Sequence, residues 1–398
     1  MKGWQTKTLG EVLEKTATAN PLLTPEAEFD YIDVSSVSNE SFQIEETQRL
    51  LGKDAPSRAR KQVRTNDLIF ATIRPTLRRI AIVPEKFDQQ VCSTGYFVLR
   101  PKPLIDYRFM YHWLFSAEFM GQMEALQKGA SYPAVTDAEV RAQKIPFPPL
   151  PEQHRIVAIL DAAFDHIATA RANCEANLLN VRAIFESHLQ AVFTERGDGW
   201  EEKNFGDIAT FRNGINFTKS SKGDSIRILG VKDFQSHFWA PMDDLDFVIP
   251  DGKLPDSDTL LQDDLVFVRS NGNPELIGRC LLVPEASERT THSGFTIRAR
   301  LTSSVVLPIY LCHFLKSSVM RREMIDGGNG VNIRSLNQGT LAGLAIPLPS
   351  LALQTDIVRQ IDALKAETQR LESLYQRKLQ ALDDLEKSLL HQAFSGLL

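Results

Sequence analysis

The chain has 398 residues, 24% of them charged and 43% hydrophobic, and this ordinary composition excludes disordered and collagen-like proteins. A formal net charge of −5 argues against a uniformly basic nucleic-acid-binding surface but permits local basic patches. No apolar run is long enough to span a membrane, the N-terminus lacks an apolar signal core, and the four cysteines show no C-x-x-C spacing. We therefore expect a cytoplasmic protein of two or three domains, with reduced thiols and no membrane partner.

Roughly the first 145 residues predict a mixed α/β domain. The runs Asp67–Ile73 and Tyr96–Leu99 are rich in β-branched and aromatic residues and predict strands. Apolar residues in the range 106–126 have helical spacing. The proline-rich segment 145–151 ends this domain. From Glu152 to about Thr194 the chain then contains neither proline nor glycine, which predicts a long helix.

The whole arrangement occurs twice. Thr94-Gly95-Tyr96 returns as Ser293-Gly294-Phe295, 199 residues further on, and the proline stop Ile145–Pro148 returns as Ile346–Pro349 before a second long helix. Several such blocks keep their order at nearly constant spacing, so we predict a tandem duplication. The predicted segments are domain 1 (1–148), long helix 1 (149–196), domain 2 (197–349) and long helix 2 (350–398).

Each predicted long helix carries a narrow apolar seam that alternates by three and four residues. Such a seam requires one partner helix, and the other long helix of the chain is the obvious candidate. We therefore predict an antiparallel coiled coil and a pseudo-twofold internal repeat. The alternative is two amphipathic helices that each pack on their own domain. The predicted seam residues are Ile156, Leu160, Ile167, Val181, Ile357, Ile361, Leu364, Leu371 and Leu382.

Motifs for catalysis are missing from the sequence. It contains no phosphate-binding loop, no G-x-G-x-x-G, no H-E-x-x-H and no Cys/His cluster with metal spacing. An adenine methyltransferase would carry Asn/Asp-Pro-Pro-aromatic, which neither Asn20-Pro21-Leu22 nor Asn273-Pro274-Glu275 provides. The segment Asp243–Asp264 holds eight aspartates and is interpreted as a solvated face rather than a nuclease site. We expect no catalytic residue, no metal site and no cofactor in this chain.

A local basic run, Arg49–Arg79, contains nine basic residues opposed by two aspartates. Arginine neutralises phosphates and pairs with guanine, and asparagine pairs with adenine, so this run and its counterpart around Arg269–Asn273 predict contacts with DNA. The glycine-containing loops 128–133 and 327–334 are further candidates. A solvated basic surface, ordinary turns and plain connectors are the alternatives. The predicted DNA-contact residues are Arg74, Arg78, Arg79, Lys128, Ser131, Tyr132, Arg269, Asn271, Asn273, Arg279, Asn332 and Arg334.

The order domain–helix–domain–helix, the I-P-[FL]-P stop before each helix, and Pro149–Gln153 running into Ile156-Val157 resemble the specificity subunit of Type I restriction–modification systems. The resemblance covers essentially the whole chain. The second copy, Ser350–Gln354, departs from the motif because it lacks the proline and the glutamate but keeps the glutamine.

That resemblance implies an α+β fold with two target recognition domains, each reading one half of a split, asymmetric DNA site, and with paired spacer helices that set the gap. It also implies partners: double-stranded DNA, two methyltransferase subunits and, through them, restriction subunits. S-adenosylmethionine, ATP and Mg²⁺ would belong to those subunits, which methylate adenine N6 and restrict DNA.

The resemblance further implies a prokaryotic, nucleoid-associated location. The acidic segment Asp243–Asp264 is expected to face away from DNA or toward a methyltransferase subunit. The alternative function is a scaffold that binds only proteins.

Overall fold

The order of helices and strands in the first half of the chain recurs in the second half. The structure is a computed structural model that describes residues 4–197, 199–218, 220–235, 237–326 and 335–398. The chain divides into two compact units: the first holds the residues up to Glu175 together with Gln376–Leu398, and the second holds Ala176–Tyr375. In the described ranges, no helix has the length and apolar character needed to cross a membrane.

The first unit begins with a mixed domain and runs into a long helix. Its elements are β1 (Gln5–Thr8), α1 (Leu9–Val12), β2 (Glu28–Ile32), β3 (Gln48–Leu51), β4 (Ala59–Gln62), β5 (Leu68–Ala71), β6 (Ile80–Ile82), β7 (Val91–Ser93), β8 (Tyr96–Leu99), α2 (Tyr107–Leu114), α3 (Ala117–Leu126), α4 (Asp137–Arg141), β9 (Lys144–Phe147) and the start of α5 (Leu150–Thr194).

The second unit repeats this order after the end of α5. Its elements are β10 (Glu201–Asn204), α6 (Phe205–Ile208), β11 (Ala209–Asn213), β12 (Ile226–Leu229), β13 (Asp246–Val248), β14 (Leu265–Val268), β15 (Cys280–Leu282), β16 (Thr290–His292), β17 (Thr296–Leu301), α7 (Pro308–Lys316), α8 (Ser318–Asp326), α9 (Gln338–Ala342), β18 (Ala345–Leu348) and the start of α10 (Leu351–Ser395).

The predicted elements are confirmed, with one refinement. The apolar runs at 67–73 and 96–99 form β5 and β8, and the two predicted long helices are α5 and α10. The helical pattern at 106–126 is two helices and not one. Ser116 separates them because its side chain accepts the N–H of Phe119 at 3.2 Å and so caps the start of α3.

The core of the first unit has two sides because β5 is buried on both faces. Alternate side chains of a strand point to opposite faces. Leu68 and Phe70 pack in one cluster with Phe109 and Trp113 of α2, while Ile69 packs with residues of the neighbouring four-stranded sheet β3-β2-β7-β4. The sheet β6-β5-β8 is therefore a middle layer between helices and a second sheet. In the second unit the corresponding sheets are β11-β17-β14-β15 and β13-β12-β16.

The flanks that repeat in the sequence pair with each other in the fold. Strand β1 at the start of the first unit is antiparallel to β9, with Gln5 opposite Phe147. Strand β10 pairs in the same way with β18, with Glu201 opposite Leu348. Each proline stop is thus an edge strand, where the missing N–H of proline costs no ladder hydrogen bond.

Strand register corrects the sequence alignment at one place. Strands β5 and β14 correspond, and Ala71 pairs with Tyr96 while Val268 pairs with Thr296. Tyr96 therefore corresponds to Thr296, at an offset of 200 residues. The alignment by sequence, which placed Thr94-Gly95-Tyr96 on 293–295, is wrong by one position because it matched the glycines and ignored the ladder.

The two long helices run antiparallel within each unit. In the first unit Arg155 of α5 donates to the carbonyl of Leu398 at 2.7 Å, and Arg171 lies 2.5 Å from a carboxylate oxygen of Asp383 on α10. Higher numbers on α5 thus meet lower numbers near the end of α10. In the second unit, Arg182 of α5 forms an ion pair with Glu372 of α10 at 3.1 Å, and later α5 residues share a cluster with the first turns of α10.

All nine predicted seam residues are buried or half-buried, but several of them pack in a domain core as well as near a partner helix. Ile156 and Leu160 belong to the cluster that contains Trp113, and Ile357 and Ile361 belong to the core of the second unit. The other predicted seam positions are buried at Ile167 and Val181 and half-buried at Leu364, Leu371 and Leu382. Ile184 and Leu385, which share the same spacing, are exposed.

Candidate nucleic-acid interface

Arg74 and Arg78 occupy a strained turn directly after β5. Both have positive φ, 50° and 52°, and they flank a short 3₁₀ turn, Pro75–Leu77. The left-handed conformation costs a non-glycine residue about 1–2 kcal/mol, and such strain is concentrated at functional sites. Both arginine side chains are exposed. The turn therefore presents two guanidinium groups to solvent at some cost in stability.

The structure brings the second predicted loop of this unit against Arg74. The backbone N–H of Arg74 donates to the carbonyl of Pro133 at 2.7 Å, and its guanidinium donates to the carbonyl of Ser131 at 3.3 Å. The same guanidinium lies 5.0 Å from the ring centroid of Tyr132, a cation–π distance, and Tyr132 is 71% exposed. Arg74, Ser131 and Tyr132 thus form one exposed surface.

Lys128 stands at the start of that loop, and its side chain is 83% exposed. Its ammonium group lies 3.2 Å from a carboxylate oxygen of Glu139. Hydrogen bonds from the backbone and side chain of Thr136 lower the pKa of Glu139 to about 2, so this partner stays charged at neutral pH. Lys128 can therefore reach a phosphate only by competing with an anion already beside it.

Arg79 is placed differently from its two neighbours. Its Nη1 atom donates to the carbonyls of Val34, Ser35 and Val37, at 3.2, 3.2 and 2.7 Å. Its guanidinium fastens the turn after β5 to the segment after β2. By contrast, the side chain of Arg78 forms no hydrogen bond or ion pair with any residue that the structure describes.

Arg279 repeats this arrangement 200 residues later. Its Nη1 atom donates to the carbonyls of Phe234 and Gln235, at 3.3 and 3.1 Å. Phe234 and Gln235 follow β12, as Val34, Ser35 and Val37 follow β2, and Phe234 ends the 3₁₀ turn after β12 as Val37 ends the one after β2. The same guanidinium-to-backbone brace therefore exists in both units, although the surrounding loops differ in sequence.

The second unit anchors Arg269 through its backbone. The N–H of Arg269 donates to the carbonyl of Phe295, and the N–H of Leu336 donates to the carbonyl of Arg269, both at 2.8 Å. The half-buried Arg269 side chain has no hydrogen-bond or ion-pair partner within the described parts of the chain. Its guanidinium is thus available to an external acceptor.

Asn271 and Asn273 shape their own loop. The side-chain oxygen of Asn271 accepts the N–H of Asn273 at 2.8 Å, and that of Asn273 accepts the N–H of Glu275 at 3.0 Å. These turn bonds use one lone pair of each oxygen and leave the NH₂ groups as donors. Bidentate pairing with adenine needs both the oxygen and the NH₂ group, so it would compete with the turn. Asn332 and Arg334 lie outside the described residues.

Three of the nine residues in the basic run, Arg49, Lys53 and Lys61, form ion pairs within the unit, which the sequence count did not foresee. Arg49 pairs with Glu28 and Asp30, and Lys61 lies 2.7 Å from a carboxylate oxygen of Asp137. The opposing acids come from other parts of the chain, so a window of sequence cannot reveal them. The acidic segment is balanced in the same way, since four of its aspartates pair with described residues: Asp246, Asp256, Asp258 and Asp264.

Sequence reasoning missed one residue beside this interface. Phe295 is 60% exposed, and its carbonyl accepts the N–H of Arg269. It was aligned with Tyr96, which is fully buried, so nothing marked it as a surface residue. In the described ranges, no group of three or more His, Cys, Asp or Glu side chains could hold a metal ion.

Comparison with protein families gives one match that covers most of the chain. A family model described as Type I restriction modification DNA specificity domain matches residues 1–176 and 197–380. Among curated proteins, the Type I restriction enzyme EcoKI specificity subunit of Escherichia coli (strain K12) is 28% identical over 330 residues. That alignment covers 77% of this chain and 69% of the relative.

Solved structures share the fold over the full length. A chain from a structure reported for complex assembly and conformational transition of the type I R-M system has a TM-score of 0.86 at 26% identity, and the match covers 100% of this chain and 99% of that chain. The HsdS subunit from Thermoanaerobacter tengcongensis has a TM-score of 0.71 at 26% identity, with 100% and 98% covered.

Proposed function

The chain belongs to the Type I restriction modification DNA specificity domain family, and from that premise we propose that it is the DNA sequence-recognition subunit of a Type I restriction–modification complex. Each domain reads one half of an asymmetric, bipartite DNA site. The chain is not itself an enzyme and directs adenine-N6 methylation and restriction by its partner subunits. The observation that carries this proposal is one strand framework, present twice, with different residues in the loops after β5 and β14.

This arrangement suits recognition of a split site. A mismatched base pair typically costs a DNA-binding protein about 1–3 kcal/mol, so one small domain discriminates weakly against a genome of competing sites. Two domains in one chain add their discrimination energies. Because the loops of the two domains differ, the two half-sites they read differ as well, which makes the site asymmetric.

The predicted DNA-contact residues divide by geometry into two groups. Residues with accessible side chains contact DNA, whereas Arg79 and Arg279 position the loops through their carbonyl contacts. The accessible contacts that we propose in the first domain are Arg74, Arg78, Lys128, Ser131 and Tyr132, and those in the second domain are Arg269, Asn271 and Asn273. Asn332 and Arg334 lie outside the described residues and are proposed as contacts from their sequence alone.

The partners follow from the same premise. Two methyltransferase subunits bind this chain and supply S-adenosylmethionine-dependent methylation, and restriction subunits that use ATP and Mg²⁺ join through them. The segments 1–148 and 197–349 act as target recognition domains, and 149–196 and 350–398 act as the spacer. The complex works on DNA in a prokaryotic cytoplasm, at the nucleoid.

The test is single-molecule methylation sequencing of cells that carry this chain with the methyltransferase of its source. The same cells lacking only this chain, and those cells with the chain restored on a plasmid, are the controls. We expect a split motif with N6-methyladenine in each half that disappears on deletion and returns on restoration. Unchanged methylation, with binding to partner subunits intact, would favour the protein scaffold.

A further inference from the structure

Phe295 occupies a framework position that holds a glycine in the first unit. In the first unit the side-chain oxygen of Ser93 accepts the N–H of Gly95 at 3.3 Å, and in the second unit that of Ser293 accepts the N–H of Phe295 at the same distance. The strand register described above gives the same offset of 200 residues. Gly95 and Phe295 are therefore equivalent in the fold.

The two positions differ in the space that surrounds them. A Cβ atom built on Gly95 would lie 2.5 Å from a methyl group of Val34, so the first unit has no room for a side chain there. In the second unit the same position carries a phenylalanine that is 60% exposed. In the first unit the side chain of Val34 fills this space, whereas in the second unit the aromatic ring of Phe295 is exposed to solvent.

The backbone of Phe295 is held on two sides. Its carbonyl accepts the N–H groups of Arg269 and Ser270 at 2.8 and 3.4 Å, which joins it to the start of the candidate DNA-contact loop. The preceding turn is fixed by Ile215, whose carbonyl accepts the N–H of Gly294 at 2.7 Å. These hydrogen bonds therefore fix the backbone of Phe295, which carries the ring, before any partner binds.

The ring itself makes no ring–ring or cation–ring contact with the described residues. An exposed phenyl ring gives up the roughly 1.5–3 kcal/mol that burial would supply. A backbone hydrogen bond joins Phe295 to Arg269, whose guanidinium is available to an external acceptor.

We propose that Phe295 is a specificity-determining residue of the second domain, and that its ring makes an apolar contact with the 5-methyl group of a thymine in the half-site this domain reads. This inference rests on the proposed function. The thymine methyl is the apolar group that a base edge offers in the major groove, and phenylalanine is one of the side chains that contact it. The first domain has Gly95 at the same place and lacks this contact, so the contact belongs to one half-site only.

The experiment uses the chain assembled with its methyltransferase subunits and a duplex carrying the cognate site. Binding is measured for the wild type and for Phe295→Ala on DNA in which each thymine of the second half-site is replaced in turn by deoxyuridine, which removes only the methyl group. The matched control is Phe247→Ala. Phe247 is 59% exposed and lies on β13, which β12 separates from β16.

We expect Phe295→Ala to weaken cognate binding by roughly 5- to 30-fold, whereas Phe247→Ala has no effect. For one thymine, deoxyuridine should weaken wild-type binding by about 3- to 5-fold and leave Phe295→Ala unaffected. Phe295→Leu should retain part of the effect. Thermal melting of each variant confirms that the fold is intact.

Equal binding by Phe295→Ala and Phe247→Ala overturns the proposal. A loss of binding that is independent of every thymine methyl overturns it as well, because the ring then acts elsewhere on DNA. If Phe295→Ala weakens only assembly with the methyltransferase subunits, the ring is a protein contact and the proposal fails. A wild-type complex without any sequence preference would instead refute the proposed function.

Discussion

The side-chain oxygen of Gln153 accepts the backbone N–H of Asp106 at 2.8 Å, and this bond ties the first turn of α5 to the start of α2. The amide nitrogen of the same side chain donates to the carbonyl of Pro148 at 2.9 Å, and the Gln153 side chain is fully buried. Three parts of the first unit, the proline stop and the starts of α2 and α5, therefore meet at one amide.

Gln354 forms the equivalent set of hydrogen bonds in the second unit, and we call each set a glutamine clamp. Its side-chain oxygen accepts the N–H of Leu307 at 2.8 Å, and its nitrogen donates to the carbonyls of Val305 and Pro349, both at 2.9 Å. The second copy of the helix-entry motif lacks the proline and the glutamate of Pro151-Glu152. In both units the glutamine side chain is fully buried and both of its polar ends bond backbone groups, which the other two residues do not do.

Gln153→Ala should reduce the stability of the first unit by about 2–4 kcal/mol. The substitution leaves the N–H of the half-buried Asp106 and the carbonyl of the buried Pro148 without their partner, and an unsatisfied buried group costs about 1–3 kcal/mol. Urea denaturation of the full chain measures the loss. Gln190→Ala, which removes an exposed glutamine from the same helix, is the control and should change stability by less than about 0.5 kcal/mol. Equal effects would contradict a clamp at Gln153.

Arg79→Ala should lower both stability and DNA affinity without changing the salt dependence of binding. The side chain braces the carbonyls of Val34, Ser35 and Val37, so its loss releases the loop but removes no phosphate contact. Binding of the assembled complex is measured from about 50 to 200 mM salt. A slope of log affinity against log salt that falls by about one unit would show that Arg79 contacts a phosphate after all.

Arg78→Gly should raise the stability of the first unit, whereas Arg79→Ala lowers it. Glycine adopts positive φ at no steric cost, so replacing Arg78 at φ 52° relieves about 1 kcal/mol of strain. The unpartnered guanidinium is lost, so DNA affinity should fall, and the salt slope should decrease by about one unit if the contact is to a phosphate. Denaturation and binding are measured on the same preparation. A stable variant with unchanged affinity would remove Arg78 from the interface.

The second unit should lose stability as the pH falls from about 6.5 to about 4. Burial lowers the pKa of His313 to about 4, and nearby Lys365 and Lys316 act in the same direction, although Asp362 opposes them. The folded state binds fewer protons than the unfolded state in this window, so stability rises with pH there and is lost on acidification. The part of this loss that His313 causes is about 2–4 kcal/mol.

His313→Gln should remove the His313 share of this pH dependence, which is measured as denaturation midpoints at several pH values. His237→Gln is the control because His237 is exposed in the same unit. Burial lowers the pKa of His292 to about 3, so His292 adds to the loss between pH 6.5 and 4 and extends it to about pH 3 in both variants. If His313→Gln and the wild type share one pH profile, His313 does not cause the loss.

The spacing of apolar residues, the repeated sequence blocks and the positions of prolines were enough to predict the duplication and the types of the secondary-structure elements. Proline stops and proline-free stretches act locally on φ and on backbone hydrogen bonds, so they located α5 and α10 without knowledge of the fold. The same holds for β5 and β8, whose β-branched and aromatic residues suit buried strands. The candidate loops of the site were found because they follow such elements directly.

The roles of Arg79 and Phe295 depend on hydrogen bonds and strand pairs between residues that are far apart in the chain, which the sequence does not reveal. The sequence counted Arg79 among the free basic residues, but its partners Val34, Ser35 and Val37 lie more than 40 positions earlier. It aligned Phe295 with a buried tyrosine, because only the strand ladder shows that Gly95 is the true counterpart.

By itself, the sequence determined that one structural unit occurs twice in the chain. It also determined where the long helices and several strands lie, because these depend on the local backbone geometry of each residue. Only the tertiary structure decided which guanidinium groups brace a loop and which face solvent, and where an aromatic ring replaces a glycine. The physical reason is that burial, ion pairing and hydrogen bonding depend on distances between residues far apart in the chain, and those distances exist only once the strands have paired.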